Sequence, residues 1–183
     1  CDAGLLGQAC KFVDDAMTKF LSAVQLAPES AAASEARIRA AESAVQVRKF
    51  REALAAVTPL QDDPHYGVQA MRYLAKAQYG LGTVPVPKGR GEAAIMNAVA
   101  DPQALAAGVK QAVGTLEKAD ERAKGAQITG AEHGVLLLEL GDMQQLDRRY
   151  REAAGTYGRA GAIGGGAVIE QAMERQAIAL QLA

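Results

Sequence analysis

Hydrophobic residues recur along this chain at helical spacing. Apolar positions stand three or four residues apart, and the alternation of β-branched and polar residues that is typical of strands is missing. The pattern predicts helices over about residues 4–26, 31–46, 49–59, 66–81, 102–122, 130–140, 143–161 and 167–181. The chain is therefore predicted to be all-α.

Residues that favour helix starts support several of these boundaries. Ser30 precedes the second predicted helix, and Asp101 precedes Pro102, whose fixed φ suits the first helical position. Asp63 and Pro64 give the same signal before the fourth predicted helix. The segment from Thr129 to Glu132 fits a capping box, in which the two side chains cap each other's backbone N–H groups.

Two glycine-rich or proline-rich segments interrupt the helical pattern. Residues 82–100 begin with the sequence GTVPVP, which favours an extended path, and they are predicted to form an insertion loop with a short helix near 91–99. Residues 158–167, GRAGAIGGGA, are predicted to end the helix before the last one. They do not match a phosphate-binding motif, because no strand precedes them and no Lys-Ser or Lys-Thr follows.

Three segments of the chain share one pattern of aromatic and small residues. They are MTKFLSAVQLAP at 17–28, KFREALAAV at 49–57 and RYREAAGTYGRA at 149–160. In each, an aromatic residue is followed by an alanine, a larger residue and another small one. This pattern resembles the second helix of a tetratricopeptide repeat (TPR), in which a small residue early in the first helix is followed by a turn and then by this motif.

Further positions agree with the TPR resemblance. Ala41 and Ala75 lie 34 residues apart, which is one repeat length. The matching small and large positions are Ala16, Phe20, Ala23, Pro28, Ala41, Phe50, Ala53, Val57, Ala75, Ala112, Leu116, Ala119, Gly134, Leu137 and Ala153. Leu60 and Pro87 depart from the family pattern, and its tryptophan is absent. A generic alanine-rich helical bundle, whose alanines would recur at similar spacing, is the alternative.

The last repeat fits two registers. In the first, Gly141-Asp142 forms the turn between the paired helices, since glycine tolerates the left-handed backbone of a helix end and aspartate caps the next helix. In the second, the turn lies at Asp147-Arg148-Arg149. The residues that then match the second helix are Tyr150, Ala153, Tyr157 and Ala160. We predict the first register on the chemistry of the turn.

The resemblance implies an α-solenoid of antiparallel helix hairpins with about eight or nine helices. We expect a single domain over residues 1–183, with the insertion loop at about 82–100 and a capping helix at about 166–182. The cap is expected because a stack of repeats cannot seal its own ends.

Composition and motifs narrow the class of function. The formal net charge of −1, with both signs interspersed, is not the basic footprint of a nucleic-acid binder. His65 and His133 are far apart in sequence and have no neighbouring ligand residues at metal-binding spacing. No nucleophile motif or paired carboxylates in an apolar setting appear. We therefore predict a protein that is not an enzyme and needs no metal or cofactor.

The candidate partner-binding residues centre on the helix predicted over 66–81. Tyrosine and arginine anchor protein interfaces more often than other residues, and the TPR resemblance implies a binding groove lined by the first helix of each pair. The candidates are Arg37, Tyr66, Gln69, Arg72, Tyr73, Lys76 and Gln78. The alternative for the tyrosines is that they fill gaps between repeats.

The two cysteines in the opening sequence CDAGLLGQAC receive separate interpretations. On one helix, Cys1 and Cys10 would stand about 13 Å apart, which is too far for a disulfide. Cys10 is predicted to be a small buried residue of the first helix. Cys1 resembles the lipid-bearing first residue of a mature bacterial lipoprotein, and the alternative is a chain that starts there arbitrarily.

Together these resemblances imply a TPR-like lipoprotein of the bacterial envelope. Covalent lipid on Cys1 would anchor it to a membrane, with the outer membrane expected, facing the periplasm. Such proteins serve as assembly or pilot factors for pili, secretins and outer-membrane machines, so a protein partner is expected. The alternatives are a permanent structural subunit of a larger envelope complex, and a soluble carrier or enzyme with an apolar pocket between helices.

Overall fold

A computed structural model describes residues 5–28, 30–83, 85–86, 99–126 and 128–183 of the chain. These residues are mainly helical, which confirms the predicted all-α class. The helices are α1 Leu5–Leu26, α2 Ala31–Gln46, α3 Phe50–Val57, α4 Gly67–Gly82, α5 Pro102–Gly125, α6 Gly130–Leu146, α7 Tyr150–Ile163 and α8 Gly166–Leu182, with a 3₁₀ turn at Thr58–Leu60. Within the described residues, no helix has the length and apolarity that a bilayer crossing requires.

The chain divides into two compact units, Cys1–Gly108 and Val109–Ala183. The boundary falls within α5. The expectation of a single domain over residues 1–183 therefore stays a prediction.

Unit 1 is built from helices that pack on their neighbours in sequence. Helix α1 packs on α2, α2 packs on α3 and α4, and α3 packs on α4. Short connections join these packed helices, so consecutive ones run antiparallel. The core contains Ile38, Ala41, Ala53, Val57 and Leu74, each at most 6% exposed. The alanines let the helix backbones approach closely, and the larger residues fill the space between them.

Close approach also explains the glycines of α4. The ring of Phe50 lies against Gly80, where an added Cβ would overlap it. An added Cβ at Gly82 would stand 2.7 Å from the carbonyl oxygen of Ala104, at the start of α5. These glycines remove side chains where the neighbouring elements meet.

Unit 2 repeats this construction with different residues. Helix α6 packs on α7 and α8, and α7 packs on α8. Its core includes Leu137, Leu140, Ala153, Tyr157 and Ala160, each at most 2% exposed. Tyr157 is among the largest fully buried side chains of the protein, in the position of the aromatic or aliphatic residue of the repeat pattern.

The predicted turn at Gly141-Asp142 is wrong. Helix α6 continues through both residues to Leu146, and the turn is formed by Asp147, Arg148 and Arg149, as in the alternative register. Arg148 adopts the left-handed conformation, with φ of 61°. The boundary predicted between 140 and 143 is therefore wrong as well.

The glycine that suggested a turn has another role. Gly141 lies within α6 under the ring of Tyr157, so the absent side chain makes room for an aromatic ring. In unit 1, Arg48 also has φ of 61° between α2 and α3. Both hairpins therefore turn through an arginine, at a conformation that glycine adopts far more readily.

The predicted helix starts are confirmed. Ser30 accepts a hydrogen bond from the backbone N–H of Ala33, and Thr129 forms the capping box with Glu132. Asp63 accepts from two backbone N–H groups at the approach to α4. Asp101 accepts from the N–H of Gln103 at the start of α5.

The predicted insertion loop lies largely outside the described residues. Within it, Pro85–Val86 and Val99–Ala100 form two short strands, β1 and β2, which pair antiparallel with Pro85 opposite Ala100. The extended path predicted for the proline-containing start is confirmed at β1. The short helix predicted near 91–99 falls on residues that are not described before Val99, as does Cys1, and the side chain of Cys10 is likewise outside the description.

Candidate protein-binding surface

Helix α4 presents one apolar side to unit 1 and one polar side to solvent. Val68, Met71 and Leu74 are buried, together with several small residues of the same helix. Burying this side fixes the direction of the remaining side chains, since a helix turns by about 100° per residue. The polar side is therefore held on a rigid element.

Three of the predicted partner-binding residues share that polar side. Gln69, Arg72 and Lys76 follow one another at intervals of three and four residues, and each is partly exposed. We call these three residues the α4 polar stripe. It carries two positive charges and one amide, which can donate hydrogen bonds to acceptors on another protein.

The two predicted tyrosines lie beside this stripe and serve the core. Tyr66 and Tyr73 are partly buried and pack against the core cluster of unit 1. This arrangement supports the gap-filling interpretation for most of each ring. Lys76 Nζ stands 5.2 Å from the centroid of the Tyr73 ring. Cation–π attraction at that distance contributes about 0.5 to 1 kcal/mol at an exposed site, so the ring helps to orient the lysine.

The remaining two predicted residues lie elsewhere. Gln78 follows Lys76 by two residues, which places it near the opposite side of α4, where an added Cβ at Gly108 would stand 2.7 Å from the Gln78 carbonyl oxygen. Arg37 is partly buried on α2, which packs against α4. The structure thus groups Gln69, Arg72 and Lys76, and separates Gln78 from them.

A buried charge cluster in unit 2 was missed by the sequence analysis. Asp120 is only 4% exposed. Its carboxylate accepts hydrogen bonds from Arg159 at 2.6 and 2.7 Å and contacts His133 Nε2 at 2.7 Å. Burial raises the pKa of Asp120, but the hydrogen bonds and charges of Arg159 and His133 outweigh it, so the pKa lies below its usual value.

This cluster joins three helices of unit 2. Asp120 lies on α5, His133 in the first turn of α6 and Arg159 on α7. His133 is thus a first-turn residue, as predicted, but its side chain is only 16% exposed and pairs with a carboxylate. No local pattern indicates this pairing, because the three residues are far apart along the chain.

A second polar network surrounds the hydroxyl of Tyr157. That hydroxyl donates to Asp142 at 2.9 Å, and Arg175 donates to the other oxygen of Asp142 at 2.6 Å. Burial raises the pKa of Asp142 despite these two partners, and burial with the neighbouring carboxylate raises the pKa of Tyr157. The network connects α6, α7 and α8 and is a structural element of unit 2.

Comparison with solved structures identifies the kind of fold. The crystal structure of a thermophilic TPR protein from Thermus thermophilus matches this chain with a TM-score of 0.62 and 18% sequence identity, covering 98% of this chain and 87% of that one. No family model matches the sequence, and no curated protein matches it significantly. At this identity the likeness concerns the fold alone. The chain therefore has an all-α, TPR-like fold.

Proposed function

We propose that this protein is a non-catalytic scaffold that binds a protein partner through a surface that includes the α4 polar stripe. Two observations support the proposal. The fold is TPR-like, and helices of this kind offer extended surfaces for binding other proteins. Helix α4 also holds Gln69, Arg72 and Lys76 partly exposed on one side, while its other side is buried in unit 1.

The position of Lys76 carries the proposal. Its ammonium group is held near the Tyr73 ring, and Tyr73 is itself packed on the core. A partner that meets this surface finds side chains that are already oriented, so less conformational freedom is lost on binding. Arginine and tyrosine at the centre of a contact also contribute more binding energy than most residues.

The test compares two double variants that remove the same charge. Arg72→Ala/Lys76→Ala changes the stripe, and Arg39→Ala/Arg51→Ala removes two exposed positive charges from α2 and α3. Each is expressed at the native level, purified by affinity, and compared by quantitative mass spectrometry. A partner should be lost with the first variant and kept with the second. Partners that are kept equally by both variants would contradict the proposed surface.

We further propose that the protein works at the bacterial envelope as a lipid-anchored assembly or pilot factor facing the periplasm. This proposal rests on the resemblances found in the sequence. Replacing Cys1 with serine should release the protein from the membrane fraction, and a variant that stays bound would contradict the anchor. An assembly factor should be present in substoichiometric amounts in the finished complex, whereas a permanent subunit should co-purify at a fixed ratio.

A further inference from the structure

The last helix exposes an apolar stripe. Ile169, Met173 and Leu180 are 38%, 66% and 61% exposed, and their spacing of four and seven residues puts them on one side of α8. The side that packs on the rest of unit 2 carries Val168, Ala172 and Ala179 instead. Single exposed apolar residues are common, but a helix that ends a repeat array normally turns a polar face outward.

Negative charges border this stripe. Glu170 and Glu174 are exposed and each follows directly after a residue of the stripe. The ion pair that α8 makes within unit 2 uses Arg175, which binds Asp142. The outer side of α8 is therefore apolar with an acidic border.

The first helix has an apolar surface with the opposite charge. Phe12 and Leu26 of α1 are 72% and 87% exposed. Lys11 and Lys19 are also exposed, and Lys19 lies between the two apolar residues on the same side of the helix. Asp14 faces elsewhere and pairs with Lys49 of α3 at 2.5 Å.

We propose that the apolar stripe of α8 in one copy docks on the exposed side of α1 in a second copy. Apolar side chains would meet at the centre, and Glu170 and Glu174 would face Lys11 and Lys19. The charges choose this pairing over the symmetric ones. Two α8 helices would place glutamates near glutamates, and two α1 helices would place lysines near lysines.

Such a contact is heterologous, because it joins two different surfaces. Each copy carries one surface of each kind, so further copies can add to form a ring or an open chain. The contact does not involve the α4 polar stripe, so it is independent of the proposed partner binding.

The experiment uses the full chain under reducing conditions and follows mass by sedimentation over a range of protein concentrations. The wild type should associate increasingly as concentration rises. Phe12→Glu and Met173→Glu should each be monomeric, since each variant lacks one of the two surfaces. An equimolar mixture should form dimers and nothing larger, because α8 of the Phe12→Glu copy can still dock on α1 of the Met173→Glu copy.

Charge reversal tests the border. Lys19→Glu and Glu174→Lys should each weaken association roughly tenfold, and the double variant should recover much of it. Circular dichroism checks that the variants fold. A wild type that stays monomeric at every concentration overturns the proposal. So does a Phe12→Glu variant that associates like the wild type, which would indicate contact between two α8 helices.

Discussion

The ring of Tyr157 on α7 lies directly over Gly141 on α6, and its hydroxyl donates a hydrogen bond to Asp142, the next residue, at 2.9 Å. The glycine makes room for the ring, and the aspartate accepts the hydroxyl. Unit 1 has a related contact, in which the ring of Phe50 on α3 lies over Gly80 on α4. An aromatic ring against a glycine on a packed helix therefore recurs in both units.

Gly141→Ala should destabilise the protein. The added methyl group overlaps the Tyr157 ring, and overpacking of this kind costs about 1 to 3 kcal/mol. Alanine's better helix propensity offsets up to about 1 kcal/mol of this. We expect a net loss of about 1 kcal/mol in the free energy of unfolding, measured by urea denaturation.

Gly155→Ala is the matched control for that change. Gly155 also lies in a helix of unit 2, but a Cβ there meets no other atom within 4 Å. Only the helix propensity changes, so the variant should gain up to about 1 kcal/mol. Equal effects of the two substitutions would contradict the contact between Gly141 and Tyr157.

Arg148→Gly should stabilise unit 2. A non-glycine residue with φ of 61° carries backbone strain of about 1 kcal/mol, and Arg148 adopts that φ at the turn. Glycine removes the strain but adds freedom to the unfolded chain, so we expect a gain of about 0.5 kcal/mol. Arg148→Val should lose more than about 1 kcal/mol, because a β-branched residue fits this conformation poorly. Thermal unfolding of both variants checks the order, and a valine variant as stable as the glycine one would contradict it.

Asp120→Asn should lose about 2 kcal/mol at neutral pH, because it weakens the bonds to Arg159 and His133 in a buried site. The pKa of Asp120 is lowered on folding, so the charged carboxylate stabilises the fold above its usual pKa of 3.8. That stabilisation is lost as pH falls through the folded pKa. Urea unfolding should therefore show a difference between wild type and variant at neutral pH that disappears in stronger acid.

A neighbouring carboxylate supplies the control for Asp120. Glu121→Gln removes the charge of a side chain that is 72% exposed and pairs with Lys124 at the surface. Exposed pairs contribute less than about 1 kcal/mol. A loss as large as that of Asp120→Asn would show that burial of the cluster is not the cause.

Asp142→Asn should show the opposite dependence on pH. Burial raises the pKa of Asp142, so its protonated form is favoured on folding. The wild type should therefore lose stability relative to the variant as pH rises from the unfolded pKa through the folded pKa. Asparagine still offers an oxygen to the Tyr157 hydroxyl. A difference between wild type and variant that grows in favour of the wild type over this range, measured by urea unfolding, would contradict the assigned pKa direction.

Much of the fold could be predicted from local sequence signals. The caps at Ser30 and Thr129, and Pro102 after Asp101, set helix starts that the structure confirms. These signals act over three or four residues, so the sequence alone contains them. The all-α class follows from the spacing of apolar residues, which the buried sides of the helices reproduce.

Contacts between distant residues could not be predicted in this way. Gly141 suggested a turn because glycine tolerates a left-handed backbone, but its actual requirement is space for Tyr157, 16 residues further along. The real turn uses an arginine at positive φ, which residue preferences disfavour. Asp120 and Arg159 are 39 residues apart, and nothing local marks them as partners.

The candidate surface was predicted in part. The spacing of Gln69, Arg72 and Lys76 fixes them on one side of a helix once its limits are known, and the structure places them partly exposed there. Gln78 belongs to another side of the same helix. The burial of Tyr66 and Tyr73 depends on the helices that pack beside them, which the spacing of residues in α4 does not specify.

Photo-crosslinking in cells tests the proposed binding surface most directly. A photoreactive amino acid is placed at position 72 on the stripe, and in a matched protein at position 51, which is exposed on α3. We expect position 72 to crosslink to a specific protein at near-native expression, and position 51 to give no such product. A protein that crosslinks equally from both positions, or none from position 72, would contradict binding through the α4 polar stripe.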